Sequence, residues 1–412
     1  MAKILQINKF FYLRGGSEKY MFELSKLLAS KKQTVIPFSM VDDRNQRSAY
    51  EKYFAVNVNV NKFGVRDILK SFYNREAAKK LQSLIKFYKP QLAHLHNWAN
   101  HLSPAIIGVL KDNNVKVIQT LHDYKMICPN RQLFSKKAIC YRCRGGRYYH
   151  CFFRKCIQDS YGISWLGMLE GYFTKYLLGT YEKIDLFIAP SLFMKATMVS
   201  FGLPENKIKV IYNFVPDSFF RDLPSSVNTL KSDDYLLYFG RLSIEKGIKT
   251  ILTALKIGPN RLKLKIAGAG PDYKNIKGLI TKKRLDKQVE LLGPKYNDDL
   301  KNLIIRAKAI IIPSVWPENM PYSLLEAMAL GKVVIAAKIG GLPEIIEDGR
   351  NGFLYSPGNS QELKEKILNL DRKDLVKIGQ EARATAKKLN QEKHYQEIIK
   401  VYKNLLKKRK TS

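Results

Sequence analysis

The chain reads as an α/β protein built from two doubly wound parallel-sheet units in tandem. Three observations carry this reading. Short β-rich runs alternate with longer segments of helical period. The alternation starts afresh in the second half, and 412 residues exceed what one hydrophobic core usually supports.

In the first half, Lys3 to Asn8, Thr34 to Met40, Leu92 to Asn97, Lys116 to Asp123, Leu186 to Ser191 and Lys207 to Tyr212 read as strands. In the second half, Tyr235 to Gly240, Leu262 to Gly268, Val289 to Gly293, Ala307 to Ser314, Lys332 to Ala337 and Gly352 to Tyr355 repeat the pattern, each with a turn and usually an amphipathic helix after it. The boundary falls between Asn213 and Ser232, where Pro216, Asp217, Pro224, Ser225 and Ser226 interrupt the periodicity. The expected division is a first domain over 1–215 carrying a basic, Cys-rich insertion at 124–160, a second domain over 216–385, and a lysine-rich helix and tail over 386–412.

Apolar residues make up 45% of the chain, which fits a globular protein and excludes disorder. No apolar run reaches the roughly 18 residues of a spanning helix, and the N-terminus lacks the apolar core and cleavage site of a signal peptide, so a cytoplasmic protein is expected. Against 36 Asp and Glu stand 71 Lys and Arg, a net charge of +35 that makes much of the surface positive. Nucleic acid, anionic lipid and phosphorylated metabolites are the candidate partners, and part of the excess fits a lysine-rich coding habit.

The stretch Ile310 to Gly331 sets two carboxylates, Glu318 and Glu326, eight residues apart across a strand-to-helix junction. In open parallel sheets ligands bind where strand ends meet helix starts, so Glu318 is expected on the loop and Glu326 in the first helical turn. The alternative is structural: Ser323 and Glu326 form an S-x-x-E capping box.

Glu318 to Glu326 resembles the E-x7-E signature of family 4 retaining glycosyltransferases. Tyr238-Phe239-Gly240-Arg241-Leu242-Ser243-Ile244-Glu245-Lys246-Gly247 resembles the family's G-R-L-x-x-E-K-G, and Gly340-Gly341-Leu342-Pro343-Glu344 its G-G-x-P-E segment. The resemblance implies the GT-B fold, with two Rossmann-like domains facing across a cleft and a terminal helix returning to the first domain. It also implies transfer of a sugar from a nucleotide diphosphate donor, with retention, to a polysaccharide or lipid-linked oligosaccharide.

By the same resemblance Arg241 and Lys246 neutralise the departing diphosphate, Glu318 contacts the transferred sugar and Glu326 the ribose, with Lys246 as an ordinary surface lysine the alternative. Asn319-Met320-Pro321 departs from the family's usual Gly-Phe-Gly: Pro321 removes a backbone donor and Asn319 offers a side-chain amide, while Met320 stands at a donor-contact position. Gly268-Ala269-Gly270-Pro271 resembles the family's G-x-G-P turn, and Gly15-Gly16-Ser17-Glu18 its N-terminal glycine loop, for which a plain tight turn is the alternative.

His122, before Asp123, resembles a family histidine near the donor sugar; His94 and His96 read as structural or acceptor contacts. Front-face displacement, in which the leaving phosphate helps deprotonate the acceptor, is implied. No metal is expected at the reaction centre, since the chain holds no D-x-D triplet.

All five cysteines lie between Cys128 and Cys156, and Cys140, Cys143, Cys151 and Cys156 have a spacing able to close a structural zinc site, with free thiols the alternative. Tyr124 to Gln158 carries nine Lys or Arg and no Asp or Glu. The aromatic segment Tyr161 to Tyr176 follows, suited either to an anionic bilayer interface or to a core helix beneath a solvated loop. Other GT-B chemistry, glycan synthesis or sugar epimerisation, and a basic nucleic-acid-binding protein are the competing readings; the latter leaves Glu318, Glu326, Arg241 and Lys246 unexplained.

Overall fold

A computed structural model describes residues 2–58, 64–221, 233–256 and 262–407. The chain divides into two compact units: Met1–Lys136, Cys140–Tyr212 and His394–Ser412 form unit 1, and Lys137–Ile139 with Asn213–Lys393 form unit 2. Of the expected linker, Pro224, Ser225, Ser226 and Ser232 lie outside the described residues, as do Lys408, Arg409 and Lys410 of the basic tail.

Unit 1 holds six parallel strands, β1 (Lys3–Ile7), β2 (Thr34–Phe38), β3 (Leu92–Leu95), β4 (Lys116–Thr120), β5 (Leu186–Ala189) and β6 (Ile208–Val210), in the order β2-β1-β3-β4-β5-β6. Ile4, Leu5 and Ile7 are all fully buried. Consecutive apolar residues can be buried because helices cover both faces of such a sheet.

Unit 2 repeats the plan with β7 (Tyr235–Phe239), β8 (Lys263–Ala267), β9 (Val289–Gly293), β10 (Ala309–Ile312), β11 (Val334–Ala337) and β12 (Phe353–Tyr355), ordered β9-β8-β7-β10-β11-β12. All twelve expected strands are present, most of them a residue or more shorter than the sequence suggests. The order reverses between β1 and β3 in unit 1 and between β7 and β10 in unit 2, and open α/β sheets leave a crevice beyond the carboxyl ends of strands at such a switch.

The last described helix, Gln391–Lys407, buries His394, Ile398, Ile399, Val401 and Tyr402, the one-sided stripe of an amphipathic helix. Within unit 1, His394 Nδ1 bonds the Tyr212 carbonyl (3.0 Å) and the Tyr402 hydroxyl meets His94 Nδ1 (2.6 Å).

Candidate active site

The switch point of unit 2 is built from the loops after β7 and β10. After β7, a short 3-10 turn, Ile244–Lys246, ends at Gly247 in the left-handed region, and the helix Ile248–Lys256 follows. After β10 the chain runs through a Pro-rich loop to the helix Tyr322–Ala329. The two loops are tied by Val315 N–H donating to the Glu245 carbonyl at 3.0 Å.

Glu318 is the centre of this arrangement. Its Oε1 accepts from Lys246 Nζ at 2.6 Å and from Ser314 Oγ at 2.5 Å, and its side chain is only 5% exposed. Lys246 Nζ also lies 5.2 Å from the Trp316 ring centroid. The Glu318 backbone is pinned too, because Gly341 N–H donates to its carbonyl at 2.8 Å. An ionised carboxylate only accepts hydrogen bonds, so it suits hydroxyl donors, while an ammonium beside it suits an anion. The Tyr238 hydroxyl, donating to the Arg241 carbonyl at 2.6 Å, is pushed well above its ordinary pKa by burial and then by the carboxylates of Glu318 and Glu245.

The other expected residues of this unit fall around that core. Arg241 is exposed. Asn319, Met320 and Glu326 are buried, and Asn213 binds Met320 through Nδ2 to the carbonyl (2.9 Å) and N–H to Sδ (3.2 Å). Glu326 is the fifth residue of its helix, one turn later than expected, and no side chain caps that helix: Pro321 is the N-cap and Ser323 lies inside, so the capping box does not form. Gly268 has a packing role, since a Cβ there would stand 1.9 Å from the Gly240 carbonyl oxygen.

In unit 1, Gly15 is the extended N-cap and Gly16 the first residue of the helix Gly16–Ser30. The φ of −170° at Gly15 is open to any residue, so backbone geometry alone does not demand glycine. His122 lies two residues beyond β4 and joins a network that spacing along the chain conceals. His122 Nε2 is 3.0 Å from His96 Nδ1, and His96 Nε2 is 2.6 Å from Gln6 Oε1. Tyr20 packs edge-on against His96, His122 and His394, and its hydroxyl is 3.1 Å from His394 Nε2. Burial lowers His94 and His394 to about 3 and His122 to about 4, so the cluster is neutral at physiological pH.

Lys9, which the sequence did not single out as a functional residue, sits two residues beyond β1 and is lowered to about 7 by burial and then by Arg131, with Asp123 and Glu18 opposing. Perturbed groups of this kind cluster at functional sites.

The four thiols expected to hold zinc, Cys140, Cys143, Cys151 and Cys156, line one cavity of ≈ 10 Å³ together with Cys128 and His150. Among the described residues, however, no three His, Cys, Asp or Glu side chains form a group that could hold a metal ion, and all five cysteines are free. Local backbone explains the pairing of Cys151 with Cys156. Cys156 N–H bonds the Cys151 carbonyl and Lys155 N–H that of Phe152, with Lys155 at φ +47°, a Schellman helix end that brings the flanking side chains into contact. There the Cys151 thiol hydrogen-bonds Cys156 and lowers its pKa.

Residues 14–219 match the family described as Glycosyltransferase Family 4, and residues 220–385 match Glycosyl transferases group 1. The chain belongs to glycosyltransferase family 4. Among its relatives, an uncharacterised glycosyltransferase of Methanocaldococcus jannaschii is 34% identical over 41% of this chain and 48% of its own length. The lipopolysaccharide 1,2-N-acetylglucosaminetransferase of Salmonella typhimurium is 31% identical over 48% of this chain and 56% of its own. The chain thus spans about half the length of these curated relatives.

Among solved structures, Anabaena HepE in complex with UDP and glucose superposes with a TM-score of 0.70 at 21% identity, covering 98% of this chain and 100% of that one. Sucrose-phosphate synthase of Thermosynechococcus elongatus gives 0.75 at 18%, covering 98% and 99%. The family-4 chain therefore has the GT-B fold of two Rossmann-like units.

Proposed function

We propose that this family-4 glycosyltransferase is a retaining hexosyltransferase. It moves a sugar from a nucleotide diphosphate donor to a polysaccharide or lipid-linked oligosaccharide of the cell envelope, working on the cytoplasmic side. The observation that carries the reading is the Lys246–Glu318–Ser314 constellation at the switch point of unit 2. In this reading Lys246 leaves Glu318 for the donor diphosphate, so that its charge, with that of Arg241, stabilises the leaving group as it departs. Glu318, still held by Ser314, then accepts from a sugar hydroxyl; Glu326 serves the ribose, Asn319 and Met320 border the donor, and Gly268 keeps the adjoining loop close. His122, Gly15 and Gly16 are assigned to the donor-sugar and acceptor side, and no metal is required for transfer. HepE, whose structures hold UDP or UDP-glucose, and the lipopolysaccharide and colanic acid transferases among the relatives support this choice of substrates.

A thermal-shift panel of UDP, GDP and ADP sugars tests it, since a ligand that binds only the folded state raises Tm. One donor class should stabilise the protein, and Lys246→Ala or Glu318→Ala should abolish the shift or the turnover. Full activity in both variants would overturn the assignment.

A further inference from the structure

The helix Tyr161–Tyr172, continued by the turn Phe173–Leu177, is folded inside out. Its buried positions are Ser164, Gly167, Glu170 and Thr174, small or polar residues, while Tyr161, Trp165, Tyr176 and Leu177 are exposed. Two features allow this. Gly167 packs so closely that a Cβ would meet Ile157 Cδ1 at 2.4 Å, and Glu170 is neutralised by Lys125 at 2.5 Å and bonded by Thr174 at 3.1 Å.

A second helix, Val65–Phe72, does the same beside it. Val65 and Leu69 stand at the four-residue spacing of one helical face, Tyr73 follows as the extended C-cap, and the three are between 44% and 75% exposed. The two helices touch through the rings of Phe72 and Phe173, 5.7 Å apart, which makes them neighbours in unit 1. Exposed large apolar side chains gathered on neighbouring helices mark interaction sites.

Composition and charge select the partner. Tyr and Trp are the residues enriched where a protein meets the bilayer–water interface. Arg66 and Lys70 accompany the first stripe, and Lys155 and Lys175 lie 4.3 and 5.3 Å from the exposed rings of Tyr161 and Tyr176. The one carboxylate of the Tyr161–Leu177 segment, Glu170, is buried, and Asp67 is the one acidic residue of the first helix. A second copy would bring two like-charged faces together, and no described helix is long and apolar enough to cross a membrane.

We propose that these two helix faces seat unit 1 on an anionic lipid bilayer, lying in its interface. The aromatic and aliphatic side chains enter the headgroup boundary while the surrounding lysines and arginines meet lipid phosphates. Docking is independent of which sugar or acceptor the enzyme uses.

Co-sedimentation of the full chain with vesicles of phosphatidylcholine alone, or of equimolar phosphatidylcholine and phosphatidylglycerol, tests this. The parent should partition onto the anionic vesicles at low salt and weaken as salt rises. Leu69→Glu with Trp165→Glu should reduce partition at least ~10-fold, whereas Val376→Glu, at an equally exposed apolar site in unit 2, should not. An unchanged nucleotide-sugar thermal shift in the double variant verifies its fold; should no donor shift the parent, matching unfolding midpoints serve instead. Parent protein that ignores anionic vesicles, equal partition of the double variant, or self-association in place of vesicle binding would each overturn the proposal.

Discussion

Gly340 illustrates how tightly single positions determine the site. It sits at φ +62°, and a Cβ there would lie 1.9 Å from the carbonyl oxygen of Glu318 and 2.6 Å from its nitrogen. Both the backbone conformation and the approach exclude a side chain, and neither neighbour is a flexible end that could swing away. Gly340→Ala should therefore cost about 1–3 kcal/mol and displace Glu318 from Lys246 and Ser314, lowering donor affinity more than it lowers the unfolding midpoint. Gly349→Ala, whose Cβ meets nothing within 4 Å, is the control: it carries the left-handed strain at φ +80° without the collision. Equal donor affinity in the two variants would show that the Gly340–Glu318 contact does not position the carboxylate. The importance of Gly340 could be anticipated from the G-G-x-P-E resemblance, but its partner could not, since Gly340 and Glu318 meet only through the fold.

Elements whose residues follow the usual division of apolar and polar faces were readable in advance, and those that invert it were not. The strands announce themselves because sheets covered on both faces demand uninterrupted apolar runs, and Ile310-Ile311-Ile312 is such a run. The helix Tyr161–Tyr172 left two readings open in the sequence, because aromatic residues normally point inward, whereas here Ser164, Gly167 and Glu170 do. The capping box, the structural alternative at Ser323 and Glu326, fails for another reason, as Pro321 at the N-cap already starts the helix and leaves Ser323 two residues too far in. The histidine network is drawn from Gln6, Tyr20, His94, His96, His122 and His394, too scattered for any motif. What holds the inverted helix can be tested at its ion pair, where the side chains of Lys125 and Glu170 are 8% and 2% exposed. Removing one partner of a buried pair strands the other charge, so Glu170→Ala should destabilise unit 1 by about 3–5 kcal/mol in urea unfolding. Replacing both by apolar residues of similar volume, Lys125→Met with Glu170→Leu, should recover most of that loss. If the double variant is no more stable than Glu170→Ala, the ion pair does more than neutralise its own charges.

Across the whole molecule, the imidazole network makes stability depend on pH, and the sign follows from its protonation. In the unfolded chain a histidine titrates near 6.5, whereas in the fold burial holds His94 and His394 near 3 and His122 near 4. Between those values the unfolded chain binds more protons than the folded one, so stability rises with pH across that interval. The contribution is complete above about 6.5 and is lost as pH falls toward the folded values, each such imidazole adding about 1.4 kcal/mol per pH unit. The groups facing the network do not reverse this: Tyr20 and Tyr402 are pushed further above their ordinary range, and Asp123 beside His122 and the Tyr212 carbonyl on His394 favour the charged form but are outweighed by burial. The urea midpoint of unit 1 should decline gently from pH 8 to 7, where the lowered Lys9 is protonated in the unfolded chain but only partly in the fold, and fall steeply between pH 6 and 4.5, where the imidazoles act. Carboxylates also lose pairing in acid, so the slope alone does not identify the source. His394→Gln removes one titrating imidazole while retaining hydrogen-bonding groups toward Tyr20 and the Tyr212 carbonyl. It should reduce the acid slope by about 1.4 kcal/mol per pH unit; an unchanged slope would mean that the acid sensitivity arises elsewhere.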